Sequence, residues 1–440
     1  MRTWRSCGLL AGLLAAGGIE SRAAGPNPVV AQGKELFLRE WRPNDGRAHG
    51  GDGLGPVYNE RSCVACHKQG GVGGSGPDEN NVSIVTATKR SKEEFEPGER
   101  DVLKQIHVGF RDSPSVVFHR SGTDPTHAAW LGLWEGLLKP VSFANRRGTS
   151  IQLEQGISLG LTQRNTPALF GVGRIDAITE EALEAAATRT HKGFHGVRGR
   201  VSRLPDGRIG RFGWKAQTAT LEDFVLTACA GEIGLEVPDH HQSQPPRPAD
   251  PPAGLDMTEA ECDALVAYVR RLPVPVVGGS AHAPGSDAVA AGADLFRPVG
   301  CAACHAQKLG HVEGIYSDLL LHDMGPGLTD SGVYYGESAP STGELAKAQE
   351  WRTPPLWGVG DSAPYLHDGR AKTLDDAIRG HGGEAQESVD RYTRRLKPIQ
   401  RDKLLAFLGN LAAPGPLPRG TVRAVSYAPW TGGGPPPRRN

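Results

Sequence analysis

The sequence predicts a mainly α, loop-rich fold in which one plan is written twice, and three observations carry that prediction. Cys63-Val64-Ala65-Cys66-His67 returns as Cys301-Ala302-Ala303-Cys304-His305. Gly33-x-x-Leu36-Phe37 precedes the first copy, and Gly292-x-x-Leu295-Phe296 precedes the second. Thr166-Pro-Ala-Leu-Phe-Gly-Val-Gly173 is matched by Thr353-Pro-Pro-Leu-Trp-Gly-Val-Gly360, and each half then closes on an amphipathic pattern. The same landmarks in the same order mark a duplicated module.

The chemistry of the repeat follows from its residues. With 7 Cys and 15 His in 440 residues, chance placement gives only about 0.004 occurrences of C-x-x-C-H, the attachment signature of c-type haem. Two thiols three positions apart share one helical turn and can form thioethers with the two vinyl groups of one haem. The His that follows lies beneath the iron as its proximal ligand. Zinc half-sites and redox pairs also use C-x-x-C, but neither calls for the trailing His. Two covalently bound c haems are therefore expected, held by Cys63, Cys66, Cys301 and Cys304, with His67 and His305 as iron ligands. An opening helix, a haem motif, a Pro-bearing loop and a closing helix describe a cytochrome c domain, so the fold class is two fused cytochrome c-type domains.

Taken in order, the chain opens with Arg2 and Arg5, an apolar run from Gly8 to Gly18, and small residues near Ser21-Arg22-Ala23-Ala24. Residues 1–24 read as a signal peptide, too short to span a bilayer, whose removal takes Cys7 with it. Periplasmic export is the expectation. The first domain covers 29–275 and carries insertions: a Gly-rich loop from Arg42 to Pro56, a short β-hairpin between Phe194 and Gly213 around Pro205-Asp206-Gly207, and an exposed loop from Asp239 to Pro252. Its closing helix shows Leu265, Ala267, Tyr268, Val269 and Leu272 at helical spacing, with Thr258 and Glu261 as a capping box. A linker, 276–284, leads to the second domain, 285–412, which closes on Leu404, Ala406, Phe407, Leu408 and Leu411. The Pro- and Arg-rich tail, 413–440, reads as disordered.

Composition bounds the rest. Lys plus Arg and Asp plus Glu are equal at 49 each, so no charge excess points to nucleic acid or an anionic membrane. A hydrophobic fraction of 38% argues against a membrane-spanning chain, while 59 Gly and 34 Pro indicate many loops. Cys229 and Cys262 remain after haem attachment; an oxidising compartment favours a disulfide between them, and two buried free thiols are the alternative.

Three longer stretches resemble the bacterial di-haem oxidoreductase family, whose members are labelled peroxidases or "thiol oxidoreductases". They are Arg211-Phe-Gly-Trp214-Lys215-Ala216, Tyr316-Ser-Asp-Leu-Leu-Leu-His322-Asp323-Met324-Gly325, and the run from Thr353 through Pro364-Tyr365-Leu366-His367-Asp368-Gly369 to Arg370. The similarity covers nearly all of the chain after the signal peptide. The family is similar in turn to the di-haem cytochrome c peroxidases and, more distantly, to di-haem oxygenases that cleave rubber. The resemblance implies a mostly helical fold with both haems at or near the domain interface. One haem would transfer electrons and the other would react with peroxide or oxygen.

The resemblance also implies a sixth ligand for the second haem, His381, after the Pro364–Arg370 loop and a helix expected over Leu374–Arg379. Met324 and His367 are the alternatives, and His367 would otherwise anchor a propionate. For the first haem the spacing offers His191 and His195, which stand 25 and 29 residues after Thr166, where His381 stands 28 after Thr353. Either would close that iron or act as acid–base catalyst one water away; a plain surface His is the other reading. Glu181 and Glu184 are candidate distal carboxylates or an exposed helix face. Trp214 and Trp357 are candidates to stand between the haems, or else buried indoles with a satisfied N–H. The related peroxidases hold calcium between domains, but no oxygen-rich loop stands out here.

The leading functional expectation is a peroxidase-type enzyme. Electrons from a small c-type cytochrome or a copper protein would enter at the C-terminal haem, cross to the N-terminal haem and reduce hydrogen peroxide. An electron carrier with both irons six-coordinate, or oxygen-dependent attack on an organic molecule, are the other readings. Iron coordination separates them, because a closed iron passes electrons and an open one binds substrate.

Overall fold

The computed structural model describes residues 27–89, 95–140, 149–153, 156–275, 287–330 and 346–414. The expected signal peptide, the linker and the tail beyond residue 414 lie outside the described residues. Among those described, the first half forms α1 (Pro28–Leu38), α2 (Cys63–Cys66), α3 (Pro97–Ile106), α4 (His127–Leu137), α5 (Val172–Asp176), α6 (Glu180–Ala187), α7 (Leu221–Ala228) and α8 (Glu259–Arg270). The second half forms α9 (Asp287–Val299), α10 (Leu374–Gly380), α11 (Gln386–Asp390) and α12 (Pro398–Gly409). The fold is mainly α with small sheets.

Opening and closing helices pair in each half, α1 on α8 and α9 on α12. The repeated glycines explain why. A Cβ on Gly33 would stand 1.8 Å from the carbonyl oxygen of Ala264, and one on Gly292 would stand 2.0 Å from that of Lys403. Gly173 and Gly360 repeat the device at the far end of each closing helix, where a Cβ would meet Arg270 O at 2.0 Å and Gly409 O at 2.3 Å. Backbone against backbone leaves no room for a side chain to turn away. Gly292→Ala is therefore expected to cost about 3 kcal/mol; urea unfolding of the holoprotein checks it, and an unchanged midpoint would refute the crossing. The capping box also forms: Thr258 Oγ1 accepts from Glu261 N at 3.3 Å and Glu261 Oε2 accepts from Thr258 N at 2.9 Å.

The β structure exceeds the expected hairpin. That hairpin is present, Ser202–Arg203 against Ile209–Gly210. In addition, an antiparallel four-stranded sheet runs in the order Ser115–Val117, Val82–Lys89, Ile157–Arg164, Ser150–Gln152. Val85, Ala87, Leu159 and Leu161 on one face bury Leu103 of α3 and Leu131 of α4, a core of its own. The sheet stands between the first Cys pair and the Thr166-Pro167 loop. Its strand Ile157–Arg164 runs straight into Asn165-Thr166-Pro167 and so fixes that loop.

The two halves are not separate bodies. Leu309, Val312, Ile315, Leu319, Leu320 and Trp357 pack in the same core as Leu36, Phe37, Leu265 and Val269. Another core forms where Phe296 and Val299 meet Tyr316, Tyr392, Leu404 and Phe407.

Candidate functional site

Each Cys-x-x-Cys-His run opens into its own cavity. In the first, Ser62 caps α2 by accepting from Ala65 N at 3.3 Å, which fixes the turn that carries Cys63 and Cys66. Both Cys and His67 line the cavity with Phe37, Leu265, Val269 and the α7 face Phe224, Val225 and Ala228. His67 Nδ1 donates to the Gly74 carbonyl at 3.1 Å. Burial holds its pKa down at about 4. The ring is therefore neutral, its tautomer is set, and Nε2 is the atom left with a lone pair, the arrangement of a metal-ligating imidazole.

The second cavity repeats that arrangement and adds to it. Cys301, Cys304, His305, Met324, Trp357, His367 and His381 all line it. His305 Nδ1 donates to Tyr316 O at 3.0 Å and His381 Nδ1 donates to Ala377 O at 2.6 Å, so both rings keep Nε2 free. Burial lowers both pKa values, that of His305 to about 4. Two buried donors on the wall, Trp357 Nε1 and Arg211 Nε, have no hydrogen-bond partner among the described residues. Orphaned donors beside an apolar cavity ask for an acceptor that the protein does not supply. A haem with its propionates fits this set of groups: thiols facing inward, free imidazole Nε2 atoms and unused N–H groups.

The two cavities share a wall. Asn165, Thr166, Pro167, Leu169, Gly213, Trp214 and Phe224 face both. Trp214 Nε1 donates to Asn165 O at 2.8 Å, which locks the indole in that wall. Behind it, His367 is buried and stacks on Trp351 with ring centroids 3.6 Å apart. Lys215 Nζ lies 3.6 Å from the centroid of the same Trp351 and donates to the carbonyls of Lys347, Ala348 and Glu350. Arg164 and Asp330 form a buried ion pair alongside. His322, from the Tyr316–Gly325 run, is clamped between Asp318 at 3.0 Å and Glu384 at 2.7 Å, next to Cys304.

The cavities differ at one position that the sequence reading missed. Thr220 caps α7 and Thr373 caps α10, each accepting from an Asp backbone N–H three residues on. Eight residues after Thr373 stands His381; eight after Thr220 stands Ala228. Both line their cavity. The matched Thr-Leu-x-Asp starts at 220 and 373 were the available signal. Where the second cavity has an imidazole, the first has a methyl group.

Other expected site residues fall elsewhere. His191 and His195 line neither cavity, so the symmetry that set them over the first haem fails. Their segment is tied to the second motif instead: Phe194 packs with Val197, Ala303 and Cys304, Arg391 lies 4.0 Å over the Phe194 ring, and Arg391 donates to Gly193 O at 2.9 Å. Trp357 faces the second cavity and is absent from the shared wall. Glu181 and Glu184 sit on the exposed face of α6, with Glu184 paired to Arg203. Cys229 and Cys262 are buried free thiols, and no disulfide joins them. Cys229 faces the first cavity from the turn after α7, while Cys262 is held on the buried face of α8. Burial pushes Cys262 up to about 12, leaving it a poor nucleophile.

Residues 142–411, more than half of the chain, match the family model described as "Di-haem oxidoreductase, putative peroxidase". The gamma subunit of hydrazine synthase from Kuenenia stuttgartiensis is 31% identical over 33% of this chain and 47% of its own length. The methylamine utilization protein MauG of Methylorubrum extorquens is 31% identical over 31% of this chain and 37% of its own length. The chain thus spans less than half of the curated relatives it matches. A solved MauG-like protein associated with microbial copper homeostasis is 19% identical, with a TM-score of 0.30, over 54% of this chain and 90% of that one.

Proposed function

This chain belongs to the di-haem oxidoreductase family and is an oxidoreductase, and from that premise we propose that it is an exported c-type di-haem peroxidase that reduces hydrogen peroxide. Cys63 and Cys66 hold one haem covalently and Cys301 and Cys304 the other, with His67 and His305 as proximal ligands. The haems supply the redox chemistry; the chain decides which iron is open. His381 would close the second through Nε2, and Ala228 would leave the first without a sixth ligand. That asymmetry is the observation that carries the reading.

The remaining roles belong to the protein. Glu232 lines the first cavity from the turn that follows Ala228, and Asn59 Nδ2 holds its carboxylate at 2.6 Å. It is placed to take and return the proton that moves between the two peroxide oxygens. Glu60 also lines the cavity but is engaged by Arg120 at 3.2 Å and by Asn80. Trp214, held in the shared wall by Asn165 O, offers an aromatic path between the cavities. Trp357 and Arg211 anchor propionates through their unused N–H groups. A small periplasmic c-type cytochrome or copper protein would supply the electrons at the second cavity, for use at the first.

Optical and EPR spectra of the oxidised and half-reduced holoprotein, with and without peroxide, test this. One high-spin haem that reacts with peroxide is expected beside one low-spin haem. Two low-spin haems inert to peroxide in both states would make the protein an electron carrier.

A further inference from the structure

Away from both cavities, the Gly-rich loop 42–56 folds against residues 234–256 and encloses two carboxylates, Asp52 and Asp256, that have no cationic partner among the described residues. Asp256 is fully buried; its Oδ1 accepts from Gly53 N at 2.6 Å and its Oδ2 from Glu236 N at 2.7 Å. Asp52 lies beside it, with Gln242 Nε2 donating to its Oδ2 at 3.3 Å. Asp52 Oδ1 and the amide oxygen Gln242 Oε1 are buried without a hydrogen-bond partner among the described residues. Gln242 is only 5% exposed. The charged groups that act on Asp52 and Asp256 are other carboxylates: Glu236 on the first, and Asp52 and Glu236 on the second. Glu236 itself is held by the exposed His241, 2.7 Å from its Oε1, and by Gln242 N at 2.9 Å on its Oε2. Burial and the repulsion push Asp256 up to about 6.

A buried unpartnered acceptor is costly, and Asp52 and Gln242, already in contact through Gln242 Nε2, each carry one. A water can satisfy an orphan oxygen but does nothing for the charge. A cation does both. We propose that Asp52 Oδ1 and Gln242 Oε1 ligate a calcium ion that ties the Gly-rich loop to the 234–256 segment. An all-oxygen donor set selects a hard cation, and calcium tolerates irregular loops completed by backbone carbonyls and water. The site is structural, because none of Asp52, Glu236, Gln242 and Asp256 lines either cavity. It stands or falls independently of the peroxidase reading.

The test uses the holoprotein, with thermal unfolding followed in calcium chloride against EGTA at matched ionic strength. At a hundredfold excess over Kd, calcium is expected to raise Tm by about 5 °C. Asp52→Asn and Gln242→Met should each abolish the calcium-dependent rise while keeping the wild-type haem spectrum, which shows that they fold. Elemental analysis after dialysis should find one calcium per chain in the wild type and none at this position in either substituted protein. No rise and no bound calcium in the wild type, or a rise that persists in both substituted proteins, would overturn the assignment.

Discussion

Replacing Ala228 by His should close the first cavity and lower peroxide turnover by about 1000-fold, which corresponds to roughly 4 kcal/mol at the transition state. The argument is positional. Thr220 and Thr373 cap equivalent helices, and Ala228 and His381 stand at the same step from them, each facing its own cavity. Ala228 is half-buried with its methyl at the cavity surface, so a larger side chain has space to enter. An imidazole there would reproduce what His381 does in the second half and leave no position for peroxide. EPR of the oxidised Ala228→His protein should show two low-spin haems, and the peroxide-induced spectral change should vanish. A high-spin signal that survives with near-normal turnover would show that α7 does not carry the sixth position.

His381→Ala should act in the opposite sense on the other haem. Nε2 of His381 is the free nitrogen, because Nδ1 is committed to Ala377 O at 2.6 Å. Its loss should turn the second haem high-spin, let its reduced form bind carbon monoxide and raise its midpoint potential, since bis-His ligation favours ferric iron. Turnover with a protein donor should fall by about 10- to 100-fold, as electron entry becomes mismatched. Added imidazole should restore the low-spin spectrum, which a merely structural role would not allow. An unchanged spectrum would transfer the sixth position to Met324, the neighbouring alternative on the same wall.

Much of this was legible from local pattern. The C-x-x-C-H runs, the Thr258–Glu261 box and the Pro205-Asp206-Gly207 turn depend on residues within a few positions of one another, and sequence displays such relations directly. The repeated glycines were legible as landmarks, but their reason needed the carbonyls of Ala264 and Lys403. The four-stranded sheet was missed because Val82–Lys89 and Ile157–Arg164 find each other across a long stretch of chain. The Ala228 position was missed for a different reason. Alanine carries no chemistry to notice, and the hairpin segment lengthens the first half, so an offset counted from Thr166 lands near His195 instead of Ala228. The disulfide expectation failed because an even cysteine count says nothing about which way two thiols face.

The core shared by the two halves bears on how the molecule comes into being. Leu309 to Leu320 complete the packing around α1 and α8, yet they are made after the first half has left the ribosome. Without those later residues, part of the apolar surface of α1 and α8 stays uncovered. A core shared in this way ties the two halves together, so neither half expressed alone should reach a protease-resistant state.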